Sequence, residues 1–168
     1  MAVHKAPWGI PLITISSVSS LLCFVISAWL AWSWQNASLW AILVPLAILV
    51  IAALFVVRSY TVEADAILIQ RSFWKTRIPL VGLQSVWHDP MAMTKSSRTF
   101  GNGGLFSFCG HFRNKLLGPF LAYVNDPHRA VILDYGDSKV VLSPEVPQRL
   151  IDEIAAIHPV SLPKRTPQ

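Results

Sequence analysis

The sequence predicts a membrane-anchored α+β protein: an N-terminal two-helix transmembrane hairpin, then a small β-barrel capped by a C-terminal α-helix. Three observations carry this. Residues 6–57 contain no Asp, Glu, Lys or Arg, although the 168-residue chain holds 14 basic and 9 acidic residues. From residue 58 the chain breaks into short runs that alternate apolar and polar side chains, the period of a strand. After Leu142 the apolar period lengthens to that of a helix.

The charge-free segment sets the anchor. Only 14% of the chain is charged, against about 25% in an ordinary soluble domain. The deficit is confined to the N-terminal third, because all the acidic residues lie between Glu63 and Glu153 and Lys5 alone is basic before Arg58. Residues 12–34 and 38–57 are expected to span. As helices they reach roughly 35 and 30 Å, enough for a hydrocarbon core of about 30 Å. Only Gln35, Asn36 and Ala37 separate them, which implies a tight outer turn.

Lys5 before the first span and Arg58 after the second place both termini in the cytoplasm by the positive-inside rule, as in a multi-pass protein of the cell inner (plasma) membrane. Trp29, Trp32, Trp34 and Trp40 cluster around the turn and Trp8 marks the opposite interface, the depth at which such rings settle. A signal peptide is the first alternative. Its apolar stretch is normally shorter, and no clear Ala-x-Ala cleavage site follows this one. A buried core hairpin of a soluble protein is the second. Pro45 removes one helical amide and predicts a kink in the second span. Apart from the Cys23 thiol the spans carry no ionisable group, so they anchor rather than conduct. Two isolated cysteines fit a reducing compartment without disulfides.

The rest of the chain divides into a β domain at residues 59–158 and a proline-rich tail at 159–168, expected to be disordered. Tyr60 and Val62, then Ile67 and Ile69, share faces across a break at Ala64-Asp65, which predicts a hairpin. Further strands are expected at 76–80, 81–88, 120–125, 130–134 and 139–142. Residues 89–110, with Pro90, Ser96, Ser97, Gly101, Gly103 and Gly104, predict a long loop. Ser143 is the expected N-cap and Pro144 the first residue of the final helix, unless Pro147 delays its start. Val146, Leu150, Ile151, Ile154 and Ile157 form its apolar stripe.

The segments Gly101-Asn-Gly-Gly-Leu-Phe-Ser-Phe-Cys-Gly110, Leu117-Gly118, Phe120-Leu-Ala-Tyr123 and Val140-Val-Leu-Ser-Pro-Glu145 resemble the bacterial pleckstrin-homology (PH) domain family over roughly residues 60–157. The resemblance implies a PH-like barrel, in a subgroup with N-terminal transmembrane helices, and no settled activity.

Functional residues are sought in three places. The loop brings together Met91, Met93, Phe100, Leu105, Phe106 and Phe108. A solvated loop has no need of six large apolar side chains, so they either fold over the barrel as core or form a patch for a partner. Arg71, Lys75 and Arg77 bracket a turn beside Trp74. They make either a solvated charged turn or a face toward anionic headgroups, each cation there contributing about 1 kcal/mol. The alternative function is a small membrane enzyme acting on lipid or peptide, using Cys109 or His111, and no third group to orient them is evident. Gly101-x-Gly-Gly lacks the third glycine of a nucleotide fingerprint, Phe106 standing in its place. No properly spaced second pair of ligands accompanies Cys109 and His111, so no metal site, catalytic residue or cofactor is assigned. The expected partners are the lipid bilayer, through the two helices, and a protein partner or a second copy of the chain; nucleic acid is not among them. The expected function is a non-enzymatic binding or scaffold module.

Overall fold

The computed structural model describes residues 3–33 and 39–158. Trp34, the expected turn at residues 35–37 and the expected tail at 159–168 lie outside the described residues. Strand β1 (Val3–Lys5) leads into helices α1 (Ile10–Ser33) and α2 (Leu39–Leu54), which pack against each other. Strands follow at β2 (Val57–Val62), β3 (Ala66–Arg71), β4 (Lys75–Pro79), β5 (Ser85–His88), β6 (Ser97–Gly103), β7 (Phe108–Asn114), β8 (Gly118–Val124), β9 (Val131–Asp134) and β10 (Lys139–Leu142), and helix α3 (Pro147–Ile157) closes the domain.

Among the described residues one helix is long and apolar enough to cross a membrane, from Ile10 to Trp32. Only 17% of its most apolar window is buried. A core helix of a soluble protein is covered by its own chain, and this one is not. Helix α2 has 16 residues, about 24 Å at 1.5 Å per residue. It runs through Pro45 and stops at Leu54, so the span expected over 38–57 is shortened at its C-terminal end. The cause is visible at Val57, which pairs with Arg71 in the first sheet and is 1% exposed.

The strands form two sheets, β1-β2-β3-β4 and β5-β9-β10-β8-β7-β6. All pairs are antiparallel except β10 with β8. No ladder joins the two sheets among the described residues, so the closed barrel expected from the sequence is an open two-sheet arrangement. Its filling follows the pleat. Tyr60 and Val62 of β2 and Ile67 and Ile69 of β3 meet Val131, Leu133, Val140 and Leu142 of the second sheet in one core. Leu150, Ile151 and Ile154 of α3 cap that core. The intervening residues Ile132 and Val141 face the other way, into a second cluster with Phe112, Phe120 and Ala92. Strands β9 and β10 are thus buried on both faces, which is why they read as unbroken apolar runs.

The segment expected as one long loop, residues 89–110, contains strand at 97–103 and 108–110. Residues 97–103 and 108–114 form the β6–β7 hairpin. Gly101 stands opposite Gly110 across it. A Cβ on either would lie 2.3 Å from a carbonyl oxygen of the facing strand, and both have positive φ. The glycines serve this close strand crossing rather than a loop.

Ser143 does not cap α3. Its Oγ accepts hydrogen bonds from the amides of Asn125 and Asp126. Its own amide donates to the Tyr60 hydroxyl, which donates to the Tyr123 carbonyl at 2.6 Å. The helix starts at Pro147, with no side-chain cap on Val146.

The helices are joined to the domain without a linker. Buried Asn125 donates from Nδ2 to the carbonyls of Ala6 (3.0 Å) and Val57 (2.7 Å), and its own carbonyl accepts the Gly9 amide. One side chain therefore ties the approach to α1 to the exit from α2. Gly9 is required there, because a Cβ would fall 2.7 Å from Asp126 Oδ1. The β6–β7 turn grips α1 in addition. Buried Ser16 accepts the Phe106 amide at 2.9 Å and donates to the Gly104 carbonyl.

Candidate functional site

A groove of about 570 Å³ lies where α2 meets the second sheet. Ile48, Ile51, Ala52 and Phe55 form one wall, on the last two turns of α2 and just beyond. Phe100, Gly101, Asn102 and Leu105 from the β6–β7 hairpin form the other. Cys109, His111, Leu121 and Tyr123 line it from β7 and β8, with Arg71 and Arg98 among them.

Arg71 is the last residue of β3 and is held by aromatic rings. Its guanidinium carbon lies 5.0 Å from the Tyr123 ring centroid, 5.7 Å from Trp74 and 5.8 Å from Phe55, within cation–π range. The rings are fixed in turn, Phe55 meeting Trp74 edge-on at 5.2 Å. Among the described residues Arg71 Nε is buried without a hydrogen-bond partner. Arg98, on the exposed edge strand, donates from Nη1 to the Gly101 carbonyl at 3.0 Å.

Burial pushes the Cys109 thiol above its ordinary pKa, and the Arg71 cation only partly offsets this. Such a thiol stays protonated near neutral pH and is a poor nucleophile. Its contacts are the Ser107 hydroxyl at 3.6 Å and the Phe55 carbonyl at 3.9 Å. Burial likewise raises the Tyr123 hydroxyl, with Arg71 opposing it. Among the described residues no group of three His, Cys, Asp or Glu side chains is placed to hold a metal ion.

The structure divides the residues singled out from the sequence. Of the six apolar loop residues, Phe100 and Leu105 line the groove. Phe106 packs 6.0 Å from the Trp8 ring at the start of α1. Met93 and Phe108 pack on the second core cluster, and Met91 is exposed. Of the three cations, Arg71 alone reaches the groove. Arg77 pairs with Asp65, and Lys75 is exposed. Sequence reasoning missed the α2 wall and Tyr123. The α2 side chains belong to an apolar run with no feature separating exposed from groove-facing positions, whereas Tyr123 stood within the resemblance to the PH family.

Two sheets, antiparallel except for β10 with β8, are closed by a C-terminal helix, and an apolar groove with two arginines lies where α2 meets the second sheet. The sequence family described as Bacterial PH domain matches residues 58–156, more than half the chain, and the chain belongs to that family. The match begins at Arg58, so β1, α1 and α2 lie outside it. No curated protein and no solved structure matches the chain.

Proposed function

We propose that the protein is an integral membrane protein that presents its PH-like domain at the cytoplasmic face of the inner membrane as a non-enzymatic binding or scaffold module, for a protein partner or the membrane surface. The observation that carries this is the groove built between α2 and the domain, on an anchor joined to it through Asn125. A binding face at the base of a membrane helix meets only ligands at or in the bilayer.

In this reading α1 and α2 form a two-pass hairpin with both termini cytoplasmic. Lys5 and Arg58 at the domain end, and exposed Trp29, Trp32 and Trp40 at the far end, support it. A cleaved signal peptide is disfavoured, since Leu12 and Ser16 of α1 are buried against the rest of the chain. A reporter fused after Gln168 should be active only if it is of a type that works in the cytoplasm. Activity of a periplasm-dependent reporter reverses the orientation.

The raised Cys109 thiol also supports a binding role over the enzyme reading. Substituting Cys109→Ala and His111→Ala separately tests this in a strain whose phenotype depends on the protein. A module tolerates at least one substitution, whereas loss of the phenotype in both, with protein levels maintained, favours the enzyme. Crosslinking in native membranes then identifies a protein partner or a second copy.

A further inference from the structure

The geometry points to a ligand for this groove: one anionic phospholipid, its phosphate at Arg71 and Arg98 and an acyl chain along α2. The inference rests on the reading of the protein as a membrane-anchored binding module and names what that module holds.

The lining is graded from apolar to cationic. Ile48 to Phe55 covers about 10 Å of helix rise on the wall that leads into the bilayer. This is an apolar track with the length of a partial acyl chain. At the domain end stand Arg71, Arg98 and His111, and no Asp or Glu lines the groove. Arg77 pairs with Asp65, Arg129 with Asp126 and Lys139 with Asp134, while Arg71 and Arg98 form no ion pair among the described residues. What sets these two apart is their place beside the groove, since Lys75, Arg113 and Arg149 also form no ion pair among the described residues. Two cations beside one apolar pocket with no carboxylate call for an anion.

Arginine suits a phosphate because its planar fork donates two parallel hydrogen bonds. The cage of Phe55, Trp74 and Tyr123 fixes the Arg71 fork in advance, which lowers the ordering cost of binding. Asn102 does not compete for the ligand. Its amide is spent on the Leu105 backbone, donating to the carbonyl and accepting from the amide at 3.0 Å. A soluble anion has no use for the α2 wall, and a neutral acyl chain has none for the arginines. A phospholipid uses both and reaches the groove by lateral diffusion.

The test uses the full-length chain purified in detergent and native mass spectrometry with equimolar phosphatidylglycerol and phosphatidylcholine. One phosphatidylglycerol per chain should be retained with a preference of about tenfold, because both lipids offer a phosphate to the arginines but the choline cation of phosphatidylcholine is repelled by them. Arg71→Gln and Arg98→Gln should each remove most of that preference, lowering phosphatidylglycerol retention more than phosphatidylcholine retention. Arg77→Gln, whose cation is outside the groove, should retain it in full. Should Arg71→Gln fail to fold, Ala52→Phe fills the groove without touching a charge and should also lose the lipid. Excess inorganic phosphate should not displace phosphatidylglycerol. Equal retention of the two lipids, retention unaffected by both groove variants, or displacement by phosphate alone overturns the inference. Each of those results leaves the module reading standing, since that reading fails on the Cys109 and His111 phenotypes instead.

Discussion

Ile154→Asp is expected to destabilise the domain by at least about 4 kcal/mol, because it places an unpaired carboxylate in an apolar core. Ile154 and Leu150 are fully buried where α3 caps the two sheets. For a domain of this size the loss corresponds to a fall of roughly 20 °C in melting temperature. Leu150→Asp should behave alike, and Arg149→Asp on the exposed face of the same helix should change little. Thermal melts of the full-length chain in detergent make the comparison. Equal melting temperatures for Ile154→Asp and the parent protein mean that α3 does not close the core.

Asn125→Ala is the second large effect, expected at about 2–4 kcal/mol, since the buried carbonyls of Ala6 and Val57 both lose their donor. Among the described residues the Asn125 side-chain oxygen has no partner, so the side chain acts here as a donor only. Asn125→Asp should therefore be worse than alanine, because it sets a carboxylate against two carbonyl oxygens. The loss has a local signature too. Amide exchange in β1 (Val3–Lys5) should accelerate more than in β9 or β10, as the latch lies at the β1 end of the fold. A stability change under about 0.5 kcal/mol for Asn125→Ala, the range of ordinary surface substitutions, removes the latch from the account.

How much of this was legible depends on how local each feature is. The β2–β3 hairpin and the apolar stripe of α3 follow from periodicity, because burial there tracks the pleat or the helical turn, whereas β9 and β10 follow from unbroken apolar runs buried on both faces. Strand β1 escaped notice. It has three residues, and its partner lies beyond both helices in sequence. Strand β6 escaped for another reason. It is an exposed edge strand rich in glycine and polar residues, with no buried face to impose alternation. Ser143-Pro144 has the composition of a helix start, yet tertiary structure spends the hydroxyl on the Asn125 turn. Arg71 was singled out as part of a charged turn with Lys75 and Arg77. What sets it apart is the ring cage, assembled from residues 16 and 52 positions away and from its own turn, and no local pattern encodes that.

The pairing of β1 with β2 also dictates an order of events during synthesis. Val3 pairs with Thr61 and Lys5 with Ser59, and the whole of α1 and α2 lies between them. As the chain emerges, β1 has no partner until both helices have been made. The first sheet can therefore be completed only after the hydrophobic hairpin has been committed to its environment. Non-local pairing of this kind is slow, because loop closure precedes any gain from contact. Delay in placing the helices thus leaves the edge of β2 exposed on a nascent chain. Strand β1 thus precedes both helices in the chain, yet it finds its place only after they have been made.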